Sequence, residues 1–203
     1  MMLKMKIGIL SLQGNVREHA RLLKKLDVET VKVKSIEDLE NIDALIIPGG
    51  ESTTISMLMK KYKLDSAIKK KHNQGMPIYG TCAGAILLSK DVEGDKVPSL
   101  GLLDISIKRN DYGRQVDSFE TELSISGIGN FKGVFIRAPV VNRLYNGVIV
   151  LAEHKNNPVM LKHGNLLITT FHPELTNDTS IHKYFLEMVK EYKEVRELQK
   201  DLE

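Results

Sequence analysis

The pentapeptide Gly80-Thr81-Cys82-Ala83-Gly84 decides the fold of this chain. It follows the apolar run Pro77-Ile78-Tyr79-Gly80 and leads into the apolar segment from Ala85 to Leu88, as a buried strand leads into a helix. Between a strand and a helix, the pattern G-x-Cys-x-G is a nucleophile elbow, a tight turn that needs small residues beside the nucleophile. The pentapeptide therefore predicts an α/β sheet that presents a thiol at the carboxyl end of one strand.

A cysteine in such a turn has two chemical advantages. Its sulfur lies at the N-terminus of a helix, where the helix dipole favours the thiolate. The backbone N–H of Ala83 points to the place where an oxyanion would form. The alternative is a buried structural cysteine, and the flanking glycines and the preceding strand favour the nucleophile over it.

The residues before the elbow alternate between strand and helix patterns. A buried strand is predicted for the short apolar run Lys6 to Leu12, and further strands for Glu29 to Val33 and Ala44 to Ile47. Helices are predicted where Val16, Ala20, Leu23 and Leu26 recur at helical spacing, from about Thr54 to Tyr62 and from about Leu64 to Lys71. This order favours a mostly parallel sheet with helices on both faces.

Beyond Asp91 the pattern changes to strands with short links. The predicted strands are Leu102 to Lys108, Phe119 to Ile125, Gly133 to Arg137, Val148 to Ala152, Val159 to His163 and Leu166 to Phe171. Lys162-His163-Gly164-Asn165 is typical of a hairpin turn. A last helix is expected from about Ser180 to Lys200, with an apolar stripe from Ile181 to Val195. We see neither a linker nor a repeat, so residues 1–203 are expected to form one domain.

Composition excludes several classes of function. The excess of Lys and Arg over Asp and Glu is 29 − 26 = +3, too small and too dispersed to indicate nucleic-acid binding. The single cysteine excludes an internal disulfide and a multi-cysteine zinc site, and it suits a reducing compartment. No run approaches the roughly 18 apolar residues of a membrane span. We therefore expect a cytoplasmic protein that binds neither nucleic acid nor membrane.

A thiol nucleophile needs a base, and His172 in Phe171-His172-Pro173-Glu174 is the best candidate. It follows a predicted strand, at the edge of the sheet where open α/β folds build their sites. In an extended segment Glu174 would point the same way and hold one ring nitrogen, as in a Cys-His-Glu triad. The alternative is an ordinary polar loop. The other histidines (His19, His72, His154, His163 and His182) have simpler structural interpretations, and no pair has convincing metal-ligand spacing, so no metal is assigned.

The glycine-rich stretch Pro48-Gly49-Gly50-Glu51-Ser52-Thr53 directly follows a predicted strand. Consecutive glycines let a loop aim backbone N–H groups at a ligand or an oxyanion. The residues do not fit the phosphate-loop or dinucleotide-binding patterns. A helix N-cap by Ser52 or Thr53 is the simpler interpretation, and it is compatible with a binding role.

Taken together, the elbow, the Gly-Gly loop and the late F-H-P-E motif resemble those of the class I glutamine amidotransferases. Within this family, the sequence most specifically resembles the branch that provides the glutaminase subunits of pyridoxal 5'-phosphate synthase. Four further stretches resemble motifs of that branch: residues 12–19 (LQGNVREH), 48–54 (PGGESTT), 109–120 (RNDYGRQVDSFE) and 134–139 (VFIRAP). The resemblance runs from about Ile7 to Val189 and implies a flavodoxin-like α/β fold.

The resemblance also implies an activity and the residues that perform it. L-Glutamine would be hydrolysed to L-glutamate and ammonia, and a separate (β/α)8-barrel synthase subunit would use the ammonia to make pyridoxal 5'-phosphate. That compound would be a product of the complex, so no bound cofactor is expected. By position in the motifs, Cys82 is the nucleophile, His172 the base and then the acid, and Glu174 the group that orients His172. The oxyanion hole would be Gly50 and Ala83, and the substrate contacts Gly50, Glu51, Ser52, Arg109, Ile136 and Arg137, with Gln13 as a further candidate.

Two other functions remain open from the residues alone. One is a stand-alone cysteine hydrolase or peptidase on a related sheet, against which the arginine-bearing motifs argue. The other is a non-enzymatic interaction protein with a decayed site, which the intact Cys82, His172 and Glu174 disfavour. Finally, the resemblance suggests that synthase binding completes the site, and Gly49-Gly50 could change its peptide orientation at little steric cost.

Overall fold

The computed structural model describes residues 5–94, 97–109 and 118–200. Within these ranges lie twelve strands, six α-helices and one 3-10 helix. The strands are β1 (Lys6–Leu10), β2 (Glu29–Val33), β3 (Ala44–Ile47), β4 (Ile78–Thr81), β5 (Ser89–Glu93), β6 (Leu103–Lys108), β7 (Ser118–Ile125), β8 (Gly129–Ile136), β9 (Val140–Leu144), β10 (Ile149–His154), β11 (Asn157–His163) and β12 (Leu166–Thr169). The helices are α1 (Val16–Lys25), α2 (Ile36–Glu40), α3 (Ser52–Lys61), α4 (Leu64–Asn73), α5 (Ala83–Leu88) and α6 (Ser180–Lys200), and the 3-10 helix is Pro173–Leu175.

A mixed, mostly parallel sheet forms the centre of the described structure. Its strand order is β10-β11-β12-β4-β3-β1-β2, and the five strands from β12 to β2 run parallel. Strands β10, β11 and β12 pair antiparallel at one edge, and β11 and β12 are joined through Gly164 and Asn165. The predicted mixed α/β sheet and the hairpin turn are confirmed.

Helices cover both faces of this sheet because alternate side chains of each strand point to opposite sides. In β3, Leu45 and Ile47 join one apolar cluster, and Ala44 and Ile46 join the other. The first cluster takes side chains from α2, α3, α4 and α5, and the second takes them from α1 and α6. The predicted two-sided burial of the inner strands is therefore confirmed.

The sequence pattern missed three short elements. Helix α2 has only five residues, too few to show a periodic apolar stripe, and a capping box between Ser35 and Asp38 fixes its start. Strand β5 is partly exposed and polar, and β9 has three exposed residues, so neither shows an apolar run. Strands β5, β6 and β9 form a small separate sheet, and β7 pairs with β8. The motif predicted at 109–120 has residues 110–117 outside the described residues.

The last helix, α6, packs through Ile181, Phe185 and Val189, which are fully buried. Val195 is 55% exposed, so the predicted apolar stripe ends earlier than the pattern indicated. None of the helices in the described part of the chain combines the length and apolar character that a membrane crossing requires.

Four segments meet at the carboxyl edge of the parallel strands. Residues 11–15 follow β1, the loop from Pro48 follows β3, the elbow follows β4, and His172 lies three residues after β12. Because parallel neighbours all end on the same side, the topology gathers the sequence motifs at one place.

Candidate active site

Cys82 occupies a strained turn between β4 and α5. Its φ of 49° and ψ of −98° are rare for a residue with a side chain. A Cβ on Gly84 would lie 2.1 Å from the carbonyl oxygen of Ile47, and one on Gly80 would lie 2.6 Å from the backbone of Gly84. Both flanking positions therefore exclude any side chain, which is the physical reason for the G-x-Cys-x-G pattern.

Strand pairing places His172 beside the elbow. Thr169 of β12 pairs with Thr81 of β4, and the Cys82 backbone N–H donates to the Thr169 carbonyl at 2.8 Å. The chain then continues to His172, whose ring lines the same cavity as Cys82. The parallel register therefore brings two residues that are distant in sequence into one site.

Glu174 holds the other side of the His172 ring. The distance from His172 Nδ1 to Glu174 Oε1 is 2.8 Å, and Glu174 is completely buried. The expected pairing is present, but the expected reason for it was wrong: Pro173 and Glu174 lie in a 3-10 helix and not in an extended segment. The pairing depends on this single helical turn.

The electrostatics of the three groups favour charge separation. Burial opposes a charged His172, but hydrogen bonds and charges from Cys82 and Glu174 outweigh it and raise the pKa of His172 to about 10. Burial also opposes a charged Glu174, but His19, His172 and Asn15 outweigh it and lower the pKa of Glu174 to about 2. Near neutral pH the ring is an imidazolium and the carboxyl group is ionised.

Asn15 belongs to the site, although the sequence interpretation assigned it no role. Its Nδ2 donates to Glu174 Oε1 at 2.9 Å and lies 3.4 Å from His172 Nδ1. Asn15 therefore fixes the carboxylate from the side of the cavity. Its position in the segment between β1 and α1 was the available signal, because polar residues at the carboxyl edge of a parallel sheet often belong to sites.

The Gly-Gly loop is fixed from both sides. The Gly49 N–H donates to Thr81 Oγ1 at 2.9 Å, and the Gly49 carbonyl accepts the Asn15 backbone N–H at 2.9 Å. A Cβ on Gly49 would lie 2.5 Å from His172 Cε1, so the loop backbone packs directly on the ring. The loop therefore needs glycine at position 49 for close approach.

Glu51 caps helix α3, so the predicted N-cap at Ser52 or Thr53 was wrong. The Glu51 carboxylate accepts the N–H groups of Thr53 and Thr54, and its Oε1 lies 3.2 Å from a guanidinium nitrogen of Arg109. The backbone N–H of Glu51 donates to Gln13 Oε1 at 2.7 Å. Glu51 thus joins Arg109 and Gln13 to the loop.

One cavity of about 510 Å³ brings most of the predicted site residues together. Its lining includes Gly50, Glu51, Ser52, Cys82, Ala83, Arg109, Ile136, Arg137 and His172, with Asn15, Ile86 and Leu175 in addition. Glu174 lies behind His172, outside the lining, and Gln13 lies beside the loop rather than in the cavity. The volume suits a small molecule such as an amino acid.

The groups in the cavity suit nucleophilic chemistry. In residues 5–94, 97–109 and 118–200, no group of three His, Cys, Asp or Glu side chains is placed to hold a metal ion. The cavity instead offers a thiol on an elbow, an imidazolium and two arginines. These groups can attack a carbonyl carbon, protonate a leaving nitrogen and bind a carboxylate.

Comparison with known proteins identifies close relatives. The model of the SNO glutamine amidotransferase family matches residues 9–191. A pyridoxal 5'-phosphate synthase subunit PdxT of Thermotoga neapolitana is 50% identical over 188 residues, which cover 92% of this chain and all of the relative. The PdxT of Thermus thermophilus is 49% identical over 184 residues, covering 90% of this chain and 96% of the relative. A crystal structure of a glutamine amidotransferase superposes with a TM-score of 0.88 at 48% identity, covering 91% of this chain and 98% of that one.

Proposed function

The chain belongs to the SNO glutamine amidotransferase family, and we propose that Cys82, His172 and Glu174 carry out its glutaminase reaction. The enzyme hydrolyses L-glutamine and supplies the ammonia for vitamin B6 synthesis. The observation that carries the proposed roles is the buried His172–Glu174 pair at 2.8 Å, whose imidazole ring lines one cavity together with the elbow cysteine.

The first half-reaction forms a thioester. The Cys82 sulfur attacks the side-chain amide carbon of glutamine, and the C=O electrons move onto oxygen. When that tetrahedral intermediate collapses, the C–N bond breaks and His172 gives its proton to the departing nitrogen, which leaves as ammonia. The raised pKa of His172, about 10, means that the proton is already on the ring when substrate arrives. His172 therefore acts first as the base that takes the thiol proton and then as the acid that protonates the departing nitrogen.

The second half-reaction releases glutamate. The now neutral His172 accepts a proton from water, and the resulting hydroxide attacks the thioester carbon. The C–S bond breaks, L-glutamate leaves and the imidazolium–thiolate pair is restored. Glu174 keeps Nδ1 of the ring protonated and oriented through both steps, as the carboxylate of a hydrolase triad does.

The remaining cavity residues have roles in binding. The proposed oxyanion donors are the N–H groups of Gly50, in the Gly-Gly loop, and of Ala83, the first residue of α5. Arg137 lies at the exposed side of the cavity, where its planar guanidinium can bind the α-carboxylate. Arg109 is already held by Glu51 and is the second candidate for this carboxylate.

The relatives are named subunits of pyridoxal 5'-phosphate synthase. We extend that assembly to this chain, with a (β/α)8-barrel synthase subunit as the partner that receives the ammonia, and with the cytoplasm as the location. A stand-alone hydrolase would need no such partner. The proposal treats residues 1–203 as one glutaminase domain.

The decisive experiment measures ammonia release from L-glutamine with and without the synthase subunit. We expect weak activity alone and roughly a hundred- to thousandfold increase in kcat with the partner, the effect of completing one oxyanion donor. The Gly49 carbonyl now accepts the Asn15 N–H, so turning the Gly49–Gly50 peptide would break that hydrogen bond.

Each possible outcome of this assay has a distinct meaning. Equal rates with and without partner would contradict the switch and leave the triad intact. No ammonia under either condition, with the Cys82→Ser variant as the blank, would contradict the glutaminase assignment itself. Release of peptide fragments from casein instead would favour the stand-alone peptidase.

A further inference from the structure

Two buried histidines lie behind the triad and have no part in the reaction described above. His19 on α1 and His182 on α6 are both completely buried, and their rings approach to 2.9 Å between His19 Nδ1 and His182 Nε2. The ring of Tyr79 packs edge-on against both. Buried polar rings are costly unless they are hydrogen-bonded, so a pair this deep calls for a specific explanation.

The second ring nitrogen of His19, Nε2, faces the active site from the rear. His19 Nε2 lies 3.2 Å from Thr81 Oγ1 and 3.8 Å from Glu174 Oε2. Thr81 Oγ1 in turn accepts the Gly49 N–H, which anchors the Gly-Gly loop. One imidazole therefore lies beside both the triad carboxylate and the hydroxyl that holds the proposed oxyanion loop.

One oxygen of the Glu174 carboxylate lacks a hydrogen-bond donor among the described residues. Glu174 Oε1 is occupied by His172 and Asn15, whereas Glu174 Oε2 is buried without a hydrogen-bond partner among the described residues. An ionised carboxylate oxygen in such a place requires a donor. His19 Nε2 is the nitrogen that stands next to it.

The missing donor for Glu174 Oε2 favours one pair of tautomers for His19 and His182. If His19 carries its proton on Nε2, that N–H points to Thr81 and Glu174, and His19 Nδ1 accepts the Nε2–H of His182. His182 Nδ1, which is buried without a partner among the described residues, is then a lone pair. The opposite tautomers would bury an N–H of His182 without an acceptor and turn a His19 lone pair toward the carboxylate. Unpaired buried N–H groups are the rarer defect, so the first placement is favoured.

We infer that His19 is a positioning residue of the glutaminase, which donates from Nε2 to Thr81 and turns the same N–H toward Glu174 Oε2, and that His182 fixes its tautomer. This inference rests on the proposed function. Both rings remain neutral near pH 7, since burial lowers the pKa of His19 and of His182 despite the raising effect of Glu174. His172, Glu18 and Tyr79 are the other titratable groups that face this pair.

The activity test compares three replacements in the complete complex with the synthase subunit. His19→Leu removes both nitrogens, His19→Asn offers an amide nearer the Nδ1 position, and His19→Gln carries an amide N–H near the position of Nε2. We expect His19→Leu and His19→Asn to lower kcat roughly ten- to hundredfold with KM unchanged, because His19 does not line the cavity. His19→Gln should keep most of kcat. His163→Gln, at the distant β11–β12 hairpin, is the matched control and should keep the wild-type rate.

A second readout separates positioning from the identity of the substrate. The pH dependence of Cys82 alkylation by iodoacetamide reports the thiolate–imidazolium pair and needs no glutamine. We expect the alkylation profile of His19→Leu to move to higher pH, because a loosely held Glu174 stabilises the imidazolium less. A folded His19→Leu protein with wild-type kcat and an unshifted profile overturns the inference. A wild-type complex that releases no ammonia counts against the proposed function and not against the positioning of Glu174.

A third measurement determines the tautomers in the unmodified protein, and variants serve only to assign its signals. Long-range ¹H–¹⁵N spectra of the imidazole rings distinguish the two neutral tautomers, and His19→Gln and His182→Gln assign the signals. We expect His19 and His182 both to carry the proton on Nε2. A proton on Nδ1 of His19 overturns the inference, whatever the activity of the variants.

Discussion

His172 and His182 are ten positions apart in sequence and both are buried, yet their environments drive their charges in opposite directions. Burial opposes the charged form of each ring. The nearby Cys82 thiol and the Glu174 carboxylate favour the charged form of His172, however, and its pKa rises to about 10. His182 has the neutral ring of His19 as its hydrogen-bonding neighbour, and its pKa falls to about 3.

The comparison teaches that partners decide the charge of a buried ring more than depth does. The front layer, Cys82, His172 and Glu174, holds charges that can move during a reaction. The rear layer, His19 and His182, holds neutral groups that can only orient their neighbours. Glu174 joins the two layers, with one oxygen in each.

Replacing the nucleophile should break the front layer most completely. In Cys82→Ser we expect glutaminase activity to fall by at least about four orders of magnitude, because a neutral hydroxyl is a far weaker nucleophile than a thiolate. The pKa of His172 should also fall, since its sulfur partner is gone. Ammonia release and NMR titration of the ring measure the two effects. A variant with wild-type turnover would contradict the nucleophile assignment.

Neutralising the link between the layers should have the next largest effect. Glu174→Gln keeps the shape of the side chain but removes the charge that supports the imidazolium. We expect kcat to fall roughly 10²- to 10⁴-fold while the fold is retained. His172→Asn should be more damaging still and serves as the reference. Steady-state kinetics of both variants in the complex would refute the ranking if Glu174→Gln proved the more severe.

Arg137→Ala leaves both layers intact and tests substrate binding alone. The loss of one charge-assisted hydrogen bond to the α-carboxylate should cost about 1.5–3 kcal/mol, or roughly 10- to 150-fold in kcat/KM. Arg143→Ala, on β9 and outside the cavity lining, is a suitable control. Unchanged kcat/KM for glutamine would remove Arg137 from the site.

The smallest expected effect is the loss of folding stability at acidic pH that is caused by His182 in the rear layer. Because the pKa of His182 is about 3 in the folded protein and about 6.5 when unfolded, the unfolded chain takes up more protons between these values. Stability is therefore complete above about pH 6.5 and is lost as the pH falls, by about 2 kcal/mol at pH 5. His182→Leu should lose correspondingly less stability between pH 7.5 and pH 5 in urea unfolding. Parallel pH slopes for the two proteins would disprove a neutral buried His182.

The front layer could be predicted from sequence because its residues lie in local motifs. The elbow around Cys82 and the segment from His172 to Glu174 each follow a strand, and parallel strands align their carboxyl ends. The inner strand β3 was predicted at its observed bounds because a continuous apolar run marks a strand buried on both faces. Strand β2 was also predicted at its observed bounds, although it lies at the edge of the sheet and is half exposed. The roles of the site residues themselves remain predictions.

The rear layer could not be predicted because it depends on tertiary contacts alone. His19 and His182 are 163 positions apart, and each lies on an amphipathic helix where a histidine has no distinctive pattern. Asn15 was missed for a related reason, since its role becomes evident only from the hydrogen bond between its side-chain amide and Glu174. The short polar elements α2, β5 and β9 lack the periodicity on which pattern recognition depends.

The contact between Gly84 and the Ile47 carbonyl has a consequence for protein engineering. A Cβ at position 84 would come within 2.1 Å of that oxygen, so the first turn of α5 lies directly on the end of β3. Replacing the side chain at position 82 can therefore introduce a new nucleophile while the backbone of the turn stays unchanged. Replacing Gly84 would instead distort the backbone of the turn in most variants. Directed evolution of new amide-cleaving activities on this scaffold should hold the glycine constant and spend its diversity on the cavity wall.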